Sequence, residues 1–253
     1  MYFQQNKGMA VQPWRTGVVA RITDETYNTK RFWIQVPELE TFDFTPGQFV
    51  TLDLPIHEKP NKRWRSYSIA SPPDGTNMFE LLIVLLDGGA GSTYLFNELA
   101  IGSTLTLRGP QGVFTLPQPI EKDLYFICTG TGIAPFRSMV AHMQMHGTVH
   151  KNIYLIFGTR ARRDLLYVEE MKQLEKEMAG FYFLPTLSRE DWDGCCGYVH
   201  AVYERLVEEK KEAGTLPEAQ FFLCGWKAMV DEARQRILAL GYDRKQIHLE
   251  LYG

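Results

Sequence analysis

The chain changes its hydrophobic period once, and that change limits its fold more than any other feature. Before Pro117–Lys122, short β-rich runs are separated by turn residues; after it, apolar strands alternate with helical patterns. The first half predicts strands at Gly17–Thr23, Lys30–Val36, Gln48–Leu54, Arg65–Ala70, Met78–Leu85 and Thr104–Arg108. Pro46–Gly47, Pro72–Pro73–Asp74–Gly75 and Gly109–Pro110–Gln111–Gly112 supply turn chemistry between them. Six short strands at this spacing predict a small antiparallel β-barrel. The one helix in this half is predicted over Ser92–Ala100, behind the glycine-rich Gly88–Gly89–Ala90–Gly91, with Ser92 as its cap.

The second half alternates strand and helix: Leu124–Cys128, Pro135–His146, Ile153–Gly158, Val168–Met178, Phe181–Thr186, Val199–Lys211, Gln220–Cys224, Lys227–Leu240 and Ile247–Leu251. Its strands show little polar alternation, which predicts a doubly wound parallel sheet with helices on both faces. Such sheets bind ligands outside the carboxyl ends of their strands. The predicted class is therefore a two-domain β plus α/β protein: a disordered lead over 1–10, a β-barrel domain over 11–117 and an α/β domain over 118–253.

A formal net charge of -3 provides no basic footprint for nucleic acid. No run approaches the roughly 18 to 20 apolar residues needed to cross a bilayer, and the N-terminus lacks a secretory signal pattern. The four cysteines, Cys128, Cys195, Cys196 and Cys224, have no zinc or iron–sulfur spacing. They read as reduced thiols in a cytoplasmic protein without a metal site.

The chemistry-bearing residues lie at predicted element ends. Gly130–Thr131–Gly132–Ile133–Ala134–Pro135 follows a strand and opens a helix. Its glycines let backbone amides approach a phosphate, the helix N-terminus adds positive potential, and Pro135 suits a first turn. The third glycine of the usual dinucleotide fingerprint is absent, so a plain structural turn remains open on these residues alone. In Arg65–Ser66–Tyr67–Ser68, Arg65 offers a phosphate a rigid fork. Tyr67 shares its strand face and offers cover for a flat ring, while Ser68 points the other way; an ordinary alternating strand is the competing reading. Gly91–Ser92–Thr93 is either a second phosphate site or a helix cap. Cys224–Gly225 ends a strand where parallel sheets place their ligands, although a lone cysteine there also suits packing.

In combination these motifs, with Pro46–Gly47–Gln48–Phe49 and Glu250–Leu251–Tyr252, resemble the ferredoxin–NADP reductase superfamily along Val11–Gly253. The resemblance implies an oxidoreductase that exchanges a hydride between NADPH (or NADH) and FAD. It further implies that Arg65, Ser66, Gly91, Ser92 and Thr93 hold the FAD pyrophosphate region, that Tyr67 packs on the isoalloxazine, and that Ser68 lies near flavin N5. Gly130, Thr131 and Gly132 match the dinucleotide pyrophosphate loop. Cys224 matches the cysteine beside the nicotinamide, with Gly225 keeping that turn open. Glu250 and Tyr252 match an acidic and an aromatic position; the aromatic covers the flavin and yields to nicotinamide. Arg160 and Arg189, with Ser188, match residues binding a ribose 2′-phosphate, and Arg162 and Arg163 lie close by in sequence. Tyr198 stands where some members carry another arginine.

The implied partner is a separate electron carrier: ferredoxin, flavodoxin or an oxygenase component. Lys59, Lys62, Arg63 and Arg65 form a candidate basic docking patch. A monomer is expected. A free-flavin reductase, an oxygenase reductase component and a non-enzymatic flavin-binding module stay open as alternatives.

Overall fold

The computed structural model describes residues 12–252. The expected disordered lead over 1–10 lies outside the described residues, as do Val11 and Gly253. The N-terminal sheet is built from β1 (Trp14–Thr26), β2 (Thr29–Gln35), β3 (Phe49–Asp53), β4 (Trp64–Ser68), β5 (Met78–Val84) and β6 (Thr104–Gln111), with α1 (Ala90–Asn97) between β5 and β6. Its order is β4-β3-β6-β1-β2-β5, and each named pair is antiparallel. An antiparallel bridge between Ile69 and Leu81 joins the two outer strands and closes the barrel. Closure removes the exposed edge that an open sheet would present. Val19, Ile34, Val50, Leu52, Leu81 and Leu107 fill the interior.

Two local expectations are corrected. The helix begins at Ala90, not Ser92, because Gly89 adopts the extended N-cap conformation, and it ends at Asn97 rather than Ala100, with Glu98 as its C-cap. The Ser92 hydroxyl turns back to donate to the Gly89 carbonyl (3.1 Å) and accept from the Leu86 amide (3.0 Å), so it fastens the preceding loop instead of capping the helix. Gly109–Pro110–Gln111 is not a turn; it continues β6, and Gln111 pairs with Phe49.

The second sheet contains β7 (Asp123–Thr129), β8 (Ile153–Thr159), β9 (Phe181–Leu187), β10 (Cys195–Cys196), β11 (Ala219–Trp226) and β12 (Ile247–Tyr252), in the order β10-β9-β8-β7-β11-β12 and all parallel. The two-residue β10 was not anticipated: the adjacent cysteines pair with Thr186 and Leu187. Four helices cover the faces: α2 (Ala134–His146), α3 (Val168–Glu177), α4 (Val199–Glu209) and α5 (Lys227–Ala239).

Alternate residues of β7 serve the two layers. Leu124, Phe126 and Cys128 pack in the cluster holding Phe136, Met139 and Met171; Tyr125 and Ile127 pack with Val202, Tyr203, Val230 and Ile237. This double burial explains why the strand carries no polar alternation. The barrel's Ala70, Leu82 and Phe114 join the first of these clusters, so the two halves share a core.

The chain runs from β7 out to β10 in one direction, then returns through α4 to β11 on the other side of β7. The order therefore reverses between β7 and β11, and their carboxyl ends flank the crevice where such a sheet takes its ligand.

Candidate active site

The Gly130–Ile133 turn leaves β7 at this reversal and leads into α2, with Pro135 in the helix's first turn. Gly130 has φ +53, a left-handed conformation that glycine adopts without steric cost. A Cβ at Gly132 would lie 2.4 Å from the Cys224 carbonyl oxygen, and one at Gly225 would lie 2.7 Å from Thr129 Oγ1. Neither position tolerates a side chain while the two strand ends remain this close. Thr129 Oγ1 is buried without a hydrogen-bond partner. An orphaned hydroxyl beside free helix-start amides is the donor set that suits a phosphate-bearing ligand.

A second place suited to an anion lies in the barrel. Arg65 donates Nη1 only to the Lys62 and Trp64 carbonyls, at 3.1 and 2.8 Å, so its charge is not matched by a carboxylate. Its stem crosses Gly91, where a Cβ would sit 3.0 Å from Arg65 Cγ. Gly91 thus lets an unneutralised guanidinium lie over the first turn of α1, whose leading amides have no intrahelical acceptor. Cation and helix start both favour an anion. The Thr93 amide already donates to the Gly89 carbonyl (2.9 Å) and the Ser92 hydroxyl is engaged as described. The groups left free for an anion are therefore Arg65, the Gly91 and Ser92 amides and the Thr93 hydroxyl. Ser66 is not among them: its hydroxyl pairs with Thr51 Oγ1 at 3.1 Å, on the opposite strand face from Arg65 and Tyr67. Tyr67 is half-buried against the barrel core, and burial pushes its phenol up to about 12.

The two halves meet at Ser68. Its hydroxyl donates to Glu250 Oε1 and accepts from the Tyr252 hydroxyl at 2.7 Å, which joins the end of β4 to the end of β12. Cys224 Sγ approaches the same Glu250 oxygen at 3.9 Å. Burial raises the Glu250 carboxyl above its ordinary range, although the hydrogen bonds from Ser68 and Cys224 act against it. Burial, and then the Glu250 charge, push the Cys224 thiol well up, so it stays protonated. The structure therefore brings Ser68, Cys224, Glu250 and Tyr252 into one polar cluster beside the β7/β11 crevice.

Arg160 and Arg189 lie beyond the flush ends of β8 and β9. The Arg189 amide donates to the Arg160 carbonyl (2.9 Å), and both Ser188 amide and hydroxyl donate to the Thr159 carbonyl. Both arginines are exposed, and among the described residues neither side chain makes an ion pair. Arg162 and Arg163 are committed elsewhere: Arg162 pairs with Asp193 (2.8 Å), and Arg163 lies over the Tyr27 ring. In the candidate docking patch, Arg63 forms a two-pronged pair with Asp53 at 2.7 Å. With Arg65 lying over α1, only Lys59 and Lys62 remain.

Two residues escaped the sequence reading. Thr129 carried a faint signal, a small polar residue between an apolar strand and a glycine turn. Trp226, half-exposed at the end of β11, stands directly after Cys224–Gly225 at the crevice mouth.

An oxidoreductase FAD-binding domain model matches residues 17–116, and an oxidoreductase NAD-binding domain model matches residues 126–235. Ferredoxin–NADP reductase B of Sorangium cellulosum is 37% identical over 217 residues, covering 84% of this chain and 87% of that protein. The chain belongs to the ferredoxin–NADP reductase family. The reductase is also 30% identical over 200 residues to the anthranilate 1,2-dioxygenase electron transfer component of Acinetobacter baylyi, covering 78% of this chain but only 54% of that protein. A ferredoxin NADP+ reductase from Neisseria gonorrhoeae with bound FAD and NADP superposes with a TM-score of 0.79 at 26% identity, over 94% of this chain and 98% of that one. The reductase is thus a flavoprotein oxidoreductase with FAD- and nicotinamide-binding domains. No helix among the described residues is long and apolar enough to cross a membrane.

Proposed function

We propose that the reductase favours NADPH over NADH, takes its hydride at the end of β4, and passes electrons to a separate carrier protein. This makes it a ferredoxin–NADP reductase-type enzyme. The observation that carries the dinucleotide preference is the pair of exposed, unpaired arginines, Arg160 and Arg189, whose backbones bond to one another beside the crevice. Two guanidinium forks at one spot suit the dianionic 2′-phosphate that distinguishes NADPH.

The assignment of roles follows the free groups. Arg65, the Gly91 and Ser92 amides and the Thr93 hydroxyl hold the FAD pyrophosphate, and Tyr67 packs on the flavin ring. Bound FAD supplies the ring atom that accepts the hydride. Gly130, Thr131, Gly132 and the Thr129 hydroxyl receive the dinucleotide pyrophosphate, while Cys224 and Gly225 leave room for the nicotinamide. Ser68 would face the reacting ring atoms, as its place in the tetrapeptide implies. It can pass a proton to or from Glu250, whose buried carboxyl is poised to hold one. Tyr252 closes this cluster until the nicotinamide displaces it.

The domain division is set at Pro117, and the setting is cytoplasmic, in keeping with four free cysteines. The carrier is a ferredoxin, a flavodoxin or an oxygenase component. Lys59 and Lys62 are the charges available to an acidic one.

Purified protein should be yellow, and anaerobic NADPH should bleach its visible flavin absorbance faster than NADH at equal concentration. Retention of the colour with both dinucleotides would end the hydride-transfer reading; equal rates would end the preference.

A further inference from the structure

Among the described residues, the most deeply buried charges lie outside the candidate active site. Glu80, on β5, is 1% exposed, and Arg137, in the first turn of α2, is 7% exposed. Both Glu80 oxygens are saturated. Oε1 accepts from Arg31 Nε (2.7 Å) and the Tyr167 hydroxyl (2.6 Å); Oε2 accepts from Arg31 Nη2 (2.9 Å) and Arg137 Nη1 (3.1 Å). The same Arg137 Nη1 donates to the Ala70 carbonyl at 2.8 Å, and Arg137 Nε donates to Glu170 at 2.8 Å. Next to it, the Ser138 hydroxyl donates to the Ser71 carbonyl at 2.6 Å. Tyr167 lies between the Arg31 and Arg137 guanidiniums, at 4.9 and 4.5 Å from its ring centre. It holds a left-handed backbone, φ +53, which costs a non-glycine residue about 1–2 kcal/mol, while its amide donates to Glu25 at 2.6 Å.

This network joins the halves at a particular place. Ala70 lies two residues beyond Ser68, and its amide donates to the Glu80 carbonyl across the barrel seam (2.8 Å). Arg137 lies two residues beyond Pro135, in the helix opened by the glycine turn. One guanidinium therefore ties the flavin strand's continuation to the start of the dinucleotide helix. Burial of paired charges in apolar surroundings contributes little net stability, because desolvation offsets their attraction. Apolar side chains of similar volume could hold the halves together as well; what Arg137 adds is a pair of directional bonds, to Ala70 and to Glu80.

We propose that Arg137, with Glu80 and Tyr167, is a positioning device: it sets the separation of the two rings by fixing the dinucleotide helix against the flavin strand. The inference rests on the hydride-transfer reading above. Transfer needs the reacting atoms about 3–3.5 Å apart, and a misplacement near 1 Å costs on the order of 100-fold. Arg137 touches neither ring, so its effect is transmitted through Ala70 and the α2 turn.

The test compares Arg137→Met, Arg137→Lys and Tyr167→Phe with the wild-type holoprotein. In Arg137→Met, Glu80 keeps Arg31 as its counter-ion and Glu170 is half-exposed, so the fold has no abandoned buried charge. Three quantities are measured: the dissociation constant for NADP+, the limiting rate of flavin reduction by NADPH in stopped flow, and amide hydrogen exchange. Arg137→Met is expected to reduce the limiting rate roughly 10- to 100-fold while the NADP+ constant changes less than about twofold. Exchange should accelerate at 69–71 and 134–138 and stay unchanged at 220–226. Arg137→Lys, which can keep one of the two barrel bonds, should fall between Met and wild type. Tyr167→Phe keeps both and should lose least.

A wild-type rate in Arg137→Met, or a rise in the NADP+ constant matching the fall in rate, overturns the proposal. If Arg137→Met does not fold, a wild-type rate and wild-type exchange in Arg137→Lys overturn it instead. Failure of the wild-type flavin to be reduced by either dinucleotide defeats the hydride reading, a separate outcome; the exchange comparison then still decides whether Arg137 fixes the two segments.

Discussion

Replacing Gly132 with alanine tests the crevice geometry at the point of least tolerance. The added Cβ would stand 2.4 Å from the Cys224 carbonyl oxygen and 2.8 Å from its carbon, both backbone atoms of a central strand. Reaching even a 3.0 Å separation needs the loop and β11 to part by at least about 0.6 Å. Overpacking of this kind costs about 1–3 kcal/mol of stability. The functional cost is larger, because Cys224 and the glycine turn carry the two ends of the proposed dinucleotide site: a shift of this size approaches the misplacement worth ~100-fold, or about 2.7 kcal/mol of barrel-to-dinucleotide alignment. Gly147→Ala, at the far end of α2, is the control. It has a left-handed φ of +57, so alanine pays about 1–2 kcal/mol in strain, but its Cβ meets nothing within 4 Å. Thermal melts, NADP+ titration and stopped-flow flavin reduction should therefore separate the two: similar losses of stability, but a collapse of binding and reduction only in Gly132→Ala. Normal NADP+ affinity and reduction in Gly132→Ala would refute the crevice as the dinucleotide site.

Arg160→Ala combined with Arg189→Ala should raise the Michaelis constant for NADPH by on the order of 100-fold or more and that for NADH by less than about threefold, since each charged hydrogen bond contributes about 1.5–3 kcal/mol, or roughly 10- to 150-fold; equal effects remove the phosphate clamp. Arg65→Ala should weaken FAD retention by roughly 10-fold or more, read by flavin release on dilution, with the apoprotein fold intact by circular dichroism. Glu250→Gln tests the buried carboxyl. Its folded pKa is raised, so the native state binds the extra proton between the unfolded and folded values, and wild-type stability declines as pH rises through that window. The glutamine variant lacks that decline; urea midpoints should favour it at neutral pH and converge with wild type below about pH 4. A constant difference across pH would show that the carboxyl titrates normally.

The fold was legible because each half repeats one simple rule. Period-two runs broken by Pro and Gly gave the barrel, and doubly buried runs such as Leu124–Cys128 gave the parallel sheet. Errors fell where local chemistry had competing uses. Ser92 is a good cap by type, but Gly89 took the cap and left its hydroxyl to bind the loop. Ser66 sits inside a recognisable tetrapeptide yet faces Thr51. The site was legible only in part. Glycine turns announce themselves by the conformations they permit. The meeting of Ser68 with Glu250 and Tyr252 spans 182 and 184 residues, and no period encodes it; the resemblance matched each residue separately and did not foretell the contact. Glu80 was hidden for a related reason. It interrupts the apolar run of β5, but its partners Arg137 and Tyr167 lie 57 and 87 residues away, so nothing nearby explains it.

The two sets of contacts between the halves differ in a way that bears on how the crevice works. Glu80, Arg137 and Tyr167 are buried and hydrogen-bonded on every side, between a closed barrel and a helix packed on a central sheet. Ser68, Glu250 and Tyr252 depend on β12, which among the described residues has β11 as its one neighbour and leaves Leu249 and Leu251 exposed. Local opening follows the region with fewer buried apolar contacts. The first set therefore suits a fixed pivot, whereas the second, although Tyr252 also packs against the main core cluster, is carried by a single outer strand. A nicotinamide that displaces Tyr252 would break the hydrogen bond to Ser68 at an outer strand, while the separation of flavin strand and dinucleotide helix stays fixed by the buried charges at the other side.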